Sequence, residues 1–288
     1  MGSIALASCA LAACHQAVLD PRGPIGQADR TILIDSLAIM LAIVVPTIIA
    51  TVWVAFWYRA SNKRARHLPE WAFSGQIELV VWAIPVMVII LLGGVTWIGS
   101  HELDPARPIA SKTPPLDIQV VSLDWKWLFI YPKQQVATVN ELVVPAGTPL
   151  HFSLTSASVM NAFFVPQLGS MIYTMNGMAT ELNLHADEPG TFRGLSAHYS
   201  GEGFSDMHFD VRAVPPDQFT AWVETTRNSG PALNAAAYAA LAKQSINASV
   251  SSFSSVDADL FAKIVTQKLP PSAGPQTHDS GAHQTAEE

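Results

Sequence analysis

The sequence predicts a membrane α + β protein: a two-helix transmembrane hairpin, then a β-sandwich or barrel, then a short helical C-terminal region. Two uncharged apolar runs, residues 36–58 and 79–100, predict the hairpin. Short segments rich in Val, Ile, Phe and Thr between 116 and 214, divided by Pro- and Gly-bearing turns, predict the β-domain. Helical spacing returns after Pro215-Pro216 and predicts the last region. The composition agrees. Across 288 residues only 14% are charged and the mean hydropathy is +0.26, too apolar for an ordinary soluble protein. A net charge of −7, with basic residues gathered in one short loop, excludes nucleic acid as a partner. Both cysteines, Cys9 and Cys14, precede the first span, which leaves no disulfide, thiolate metal site or cysteine nucleophile for the rest of the chain.

Residues 1–13 form an apolar, small-residue leader, read as a signal peptide of the lipoprotein type. Its end, Leu11-Ala12-Ala13-Cys14, resembles the bacterial lipobox, in which the chain is cut before a cysteine that is then acylated. Leu6-Ala7-Ser8-Cys9 fits the same short pattern. The predicted topology favours Cys14, which it places on the side where that processing occurs. An exported segment, 14–30, leads to the first helix, 31–58, and the second follows at 76–100. At a rise of about 1.5 Å per residue each uncharged run is ~33 Å long, enough for the hydrocarbon core. Pro46 and Pro85 kink a membrane helix without forbidding it. Trp53, Trp57, Tyr58 and Trp97 sit at span ends, as interfacial aromatics do. Between the spans, 59–75 carries Arg59, Lys63, Arg64, Arg66 and His67, so this loop is expected in the cytoplasm and both termini outside it.

Within the exported domain, 114–214, strands are expected at 116–123, 127–131, 138–144, 149–155, 181–184, 191–199 and 207–214. In the C-terminal region, 215–269, helices are expected at 217–227, 232–244 and 257–269. The remainder, 270–288, is rich in Pro, Ser, Gly, Gln, His and acid and reads as a disordered tail; His278 and His283 there are read as solvated.

Several motifs occur in order: the lipobox, Leu19-Asp20-Pro21, the hairpin, Ser-Leu-Asp-Trp-Lys-Trp at 122–127, Tyr131-Pro132, Val-Met-Asn-Ala-Phe-Phe-Val-Pro-Gln at 159–167, and Gly-Leu-Ser-Ala-His-Tyr-Ser-Gly-Glu-Gly-Phe-Ser-Asp-Met at 194–207. Together they resemble subunit II of the haem–copper oxidases, in the bacterial ubiquinol oxidase (cytochrome bo-type) branch. The resemblance covers roughly residues 14–270. It implies a cupredoxin-like domain. In the cytochrome c oxidase relatives that domain holds two copper ions through a His, two Cys, a Glu carbonyl, a second His and a Met. The corresponding positions here are Asn161, Ser196, His198, Ser200, Phe204 and Met207. Only the weak thioether remains, and no thiolate is left to bridge two copper ions. The resemblance therefore implies the copper-less, quinol-oxidising form, with no catalytic residue, cofactor or metal in this chain. Haems, copper and ubiquinol are expected in the partner subunit I, with subunits III and IV and membrane lipid as further partners, at the bacterial inner membrane.

His198 takes the place of a Glu whose side chain binds magnesium in cytochrome c oxidases. Imidazole is a poorer magnesium ligand than carboxylate, so His198 is read as a polar residue at a strand end or interface. Trp125 and Trp127 match aromatics near the electron route of copper-bearing relatives, and are expected to pack and to dock on subunit I. Met171, Met175, Met178 and Met207 are read as core and interface fillers. Glu78, in Gln-Ile-Glu-Leu-Val-Val-Trp at 76–82, resembles a glutamate at the mouth of a proton-uptake channel in subunit I; a helix-start carboxylate is the equally weighted reading. The leading function is a non-redox subunit of a proton-pumping ubiquinol oxidase that reduces oxygen to water. The alternatives are a lipid-anchored cupredoxin-like binding or oxidase-assembly protein, and a true cytochrome c oxidase subunit, which the serines oppose.

Overall fold

The computed structural model describes residues 17–66 and 68–274. They fall into two units, one of residues 28–104 and one that joins the N-terminal residues to everything from Pro105 onward.

The smaller unit is the pair of apolar helices. Helix α1 spans Pro24–Trp57 and α2 spans Gly75–Glu102, both long and apolar enough to cross a membrane. Their side chains are exposed almost throughout, including Ile48, Ile49, Phe56, Trp82, Ile89 and Ile90. Polar groups inside α1 are satisfied locally: Thr47 Oγ1 donates to Ile43 O and Thr51 Oγ1 to Thr47 O, each at 2.7 Å. The structure starts α1 well before the uncharged run at 36–58. Pro24 is tolerated in a first helical turn, and Asp29, Arg30 and Asp35 interrupt the apolar pattern without breaking the helix.

The larger unit is a two-sheet β-domain. Strands β1 (Leu116–Leu123), β2 (Lys126–Tyr131), β3 (Val136–Val139), β5 (Pro149–Ser156), β8 (Thr180–His185) and β12 (Ser251–Phe253) form one sheet, in the order β12-β3-β2-β1-β5-β8. Strands β4 (Glu141–Pro145), β6 (Asn161–Phe164), β7 (Ile172–Thr174), β9 (Gly190–Ser196) and β10 (His208–Val214) form the other, in the order β4-β10-β9-β6-β7. Two parallel pairings, β1 with β5 and β4 with β10, stand among antiparallel ones. Between the sheets, Trp127, Phe129, Phe152, Phe163 and Phe209 pack ring against ring at centroid distances of 5.1–6.4 Å. Each such burial is worth roughly 1.5–3 kcal/mol. Tyr131 crosses the gap, its hydroxyl donating to Val143 O and accepting from Val143 N, both at 2.9 Å.

The six-stranded sheet is covered on its other face as well. After α3 (Pro216–Arg227) come β11 (Ala232–Leu233), α4 (Ala235–Leu241), β13 (Ser255–Val256) and α5 (Leu260–Val265). Leu233, Tyr238, Phe253, Leu260, Phe261 and Ile264 from this segment pack on Val121, Leu123, Leu128 and Ile130 as a second core. This explains why β2 is buried at every residue and shows no alternation. The free edge of β8 is capped by Pro105, whose carbonyl accepts from Asn183 N at 2.8 Å.

Three expectations are corrected. The strand at 138–144 is two strands, broken at Asn140, which takes φ +57 and bonds Trp127 N (2.9 Å) and Ala248 O (2.8 Å). The strand expected to reach 199 stops at Ser196. The helices expected at 232–244 and 257–269 shrink to Ala235–Leu241 and Leu260–Val265, because Ala232–Leu233 pairs in parallel with Ser255–Val256 instead. Residues 270–274 have no regular structure, yet Ser272 N donates to Ala157 O (2.9 Å) and its hydroxyl to Ala242 O (3.2 Å). Cys9, Cys14, His278 and His283 lie outside the described residues.

Candidate functional site: a hydrogen-bonded loop between two strands

Strand pairing assembles the site. β6 and β9 run antiparallel with Phe163 opposite Ser196, which carries Asn161 and Ser196 to the same end of the sheet. Beyond Ser196 the chain loops through His198, Tyr199 and Ser200, turns through a 3-10 helix at Glu202–Asp206, and re-enters the sheet at β10. Ser196 N donates to Met207 O at 3.0 Å and Ala197 N to Ala162 O at 3.0 Å, closing the loop on both flanks.

Asn161, Ser196, Ser200 and Met207 come together inside the domain, all buried. Ser196 Oγ donates to Asn161 Oδ1 at 3.1 Å, with His198 O also within 3.3 Å. Asn161 Nδ2 donates to Val159 O at 3.3 Å. Below them Thr174 Oγ1 donates to Asn161 O at 3.3 Å and lies 2.8 Å from Ser122 Oγ. Ser200 Oγ is 4.0 Å from Met207 Sδ. His198 and Phe204 are half-buried at the rim: the imidazole meets Tyr173 edge-on at 5.9 Å, and Phe204 meets the exposed Tyr199 at 5.6 Å.

These donors do not fit a copper pair. Two neutral hydroxyls, an amide and one thioether offer no bridging anion, and Phe204 offers only carbon. The groups that would face a metal are bonded to each other, Ser196 to Asn161 above all. Among the described residues no three His, Cys, Asp or Glu side chains are grouped as a metal site either.

Trp125 and Trp127 both pack inside the domain, at 1% and 0% exposure. Trp125 Nε1 donates to Ser200 O at 2.9 Å, and the indole lies flat against Gly203, where an added Cβ would come within 2.3 Å of the ring. Trp125 also takes φ +62, a left-handed conformation costing roughly 1 kcal/mol or more in a bulky residue. Its neighbours Asp124 and Lys126 are buried too, and sequence reasoning passed over both. Asp124 accepts from Ser158 Oγ, while Lys126 Nζ donates to Lys243 O and Ser245 Oγ, both at 2.6 Å. Burial pushes the Lys126 ammonium below its ordinary pKa, and the Asp124 carboxylate partly offsets this. The one available signal was the sequence Asp-Trp-Lys itself, a charged pair inside an otherwise apolar hairpin.

Glu78 belongs to the helical unit. It lies in the first turn of α2, exposed, and accepts from Trp82 Nε1 at 3.2 Å.

Residues 117–214 match the family model described as the cytochrome c oxidase subunit II periplasmic domain, and residues 227–271 match the COX aromatic rich motif. The chain is 48% identical over 259 residues to a ubiquinol oxidase subunit 2 of Acetobacter aceti, covering 89% of this chain and 84% of that one. It is 47% identical over 257 residues to a cytochrome bo(3) ubiquinol oxidase subunit 2 of Pseudomonas aeruginosa, covering 89% and 78%. A quinol oxidase subunit 2 of Bacillus cereus is 36% identical over 231 residues, covering 80% and 79%. With such identity over most of both chains, on a two-sheet domain preceded by two apolar helices, this chain belongs to the family of ubiquinol oxidase subunit 2.

Proposed function

We propose that this chain is the non-redox subunit II of a proton-pumping ubiquinol oxidase of the aerobic respiratory chain. Electrons from ubiquinol then pass to oxygen wholly within a haem–copper subunit I, and this chain supplies structure. One observation carries the reading: the four positions where copper-bearing relatives use thiolate and imidazole hold Asn161, Ser196, Ser200 and Phe204, and Ser196 is bonded to Asn161. The loss is concerted, which is what abandonment of a binuclear site requires and a single drifting ligand is not. The names of the relatives, each a subunit 2 of a quinol oxidase, support membership of a complex with a large subunit I, and subunits III and IV complete it in this proposal.

The two apolar helices span the inner membrane with the basic 59–66 stretch in the cytoplasm, which puts the β-domain in the periplasm. Cys14 carries a lipid anchor, and residues 1–13 are removed. Glu78, at the cytoplasmic end of α2, stands at a proton-uptake mouth of subunit I.

The test is metal and haem analysis of the purified complex. The chain is expected to co-purify with a haem-bearing large subunit. The isolated full-length chain is expected to bind no copper and to develop no thiolate-to-copper charge-transfer bands when copper is added. Such bands would overturn the reading, and a chain that purifies free of any haem protein would favour a free-standing binding or assembly protein.

A further inference from the structure

Three consecutive residues of the β1–β2 turn reach into three different segments. Asp124 accepts from Ser158, in the loop that leads to Asn161. Trp125 donates to Ser200 O and backs Gly203, in the loop after β9. Lys126 donates to Lys243 O and Ser245 Oγ, in the segment after α4. All three are buried, and the turn is tight, with Leu123 directly opposite Lys126. A left-handed bulky residue persists only where its surroundings over-determine it. The indole is held so, by a hydrogen bond at one edge and a glycine on its face.

We propose that the Asp124-Trp125-Lys126 turn is the positioning element that fixes the 197–206 loop in one arrangement, standing in for a metal, and that the C-terminal segment sets the turn through Lys126. This rests on the copper-less reading above. A binuclear metal centre cross-links such a loop to the neighbouring strand. Without one, the bond from Ser196 to Asn161 holds the start of the loop, and Trp125 holds its middle. Gly203 is then required for contact: any Cβ there enters the indole. Among the described residues the buried ammonium of Lys126 bonds a carbonyl and a hydroxyl and no carboxylate, so its bonds serve to tie the extension to the turn.

The test uses the full-length chain in the purified complex, with backbone hydrogen exchange read segment by segment beside the melting midpoint. Gly203→Ala is expected to raise exchange in 197–206 by about tenfold. Trp125→Phe, which removes the indole N–H that Ser200 O accepts, is expected to raise exchange in the same segment. Lys126→Met is expected to raise exchange both at 243–248 and in 197–206. Gly194→Ala is the comparison for a clash that does not involve Trp125, because its Cβ would meet the Phe209 ring at 2.1 Å between β9 and β10. It should lower the midpoint and raise exchange in those strands rather than in 197–206 alone. Wild-type exchange in 197–206 for Gly203→Ala or for Trp125→Phe would overturn the role of Trp125. Exchange raised by Lys126→Met only at 243–248 would overturn the link to the C-terminal segment. Copper found in the wild-type complex at this loop would instead overturn the copper-less reading, whatever the exchange data show.

Discussion

Ser196→Ala tests whether the hydrogen bond between Ser196 and Asn161 holds this end of the sheet. The perturbation removes one oxygen. Asn161 is 1% exposed and Ser196 3%, and the Ser196 hydroxyl is the donor that Asn161 Oδ1 receives, at 3.1 Å. Loss of the donor leaves a buried amide oxygen without its hydrogen bond, at a cost of roughly 1–3 kcal/mol. For a domain of this size that lowers the melting midpoint by about 2–4 °C per kcal/mol, so a fall of roughly 2–12 °C is expected. The companion variant carries the reasoning further. Leu has nearly the shape of Asn, so Asn161→Leu combined with Ser196→Ala removes both polar partners together and should be more stable than Ser196→Ala alone. The assay is thermal unfolding of the full-length chain in detergent, followed by the near-ultraviolet signal of the buried aromatics. A wild-type midpoint for Ser196→Ala, or a double variant less stable than the single, would refute the idea that this pair holds the strands.

Glu78→Gln keeps size and removes charge, so slower oxygen reduction with normal haem content is expected, and Glu70→Gln should change little; wild-type turnover would leave Glu78 as a helix-start carboxylate. Mass spectrometry of the mature protein should find a lipid on Cys14 and no peptide from residues 1–13, while Cys14→Ala should stay membrane-bound through the two helices; an intact leader would refute the assignment. Burial raises the Tyr238 hydroxyl from its ordinary 10 to about 12. A folded value above the unfolded one means stability that is complete below pH 10 and falls as pH rises from 10 to 12, by about 1.4 kcal/mol per unit. Tyr238→Phe should therefore flatten the alkaline limb of the stability curve, and an unchanged limb would show that Tyr238 does not set it.

Legibility followed the physics of each segment. The membrane helices were readable because lipid demands long uncharged runs, and length survives any error at the ends. β1, β5 and β10 were readable because their apolar runs end at clear turn residues. β6 and β7 were not: Asn161 opens one and the other is three residues long, β6 exists through pairing with β9 and β7, and β7 through pairing with β6. The break at Asn140 was hidden because β3 and β4 are buried on both faces, and a continuous apolar run carries no mark of where it bends. The short parallel pair of β11 and β13 was invisible for a related reason, since Ala232-Leu233 and Ser255-Val256 find each other only across the second core. At the site, the substituted positions were legible as chemistry, because a missing thiolate is a fact of composition. What now occupies the space was not, because Trp125, Gly203 and Lys126 act through contacts between segments 75 to 119 residues apart.

That distribution bears on how the copper-less form proposed for this chain would be held. A binuclear centre concentrates the cohesion of a loop in a few strong bonds, and removing those bonds leaves buried polar groups with no partner. Each orphan costs on the order of 1–3 kcal/mol, a large share of the stability of a single domain. The arrangement here leaves none at the position itself, since Asn161 and Ser196 satisfy each other and Met207 lies against Ser200. The loop carbonyl of Ser200 is met by an indole, and the residue after that indole is anchored in a C-terminal segment with its own apolar core. Single reversions are therefore expected to do worse than either end state. A lone Ser196→Cys or Asn161→His breaks the existing pair without completing a metal site, so the proposed copper-free form would be held by the same cooperativity that a metal would impose.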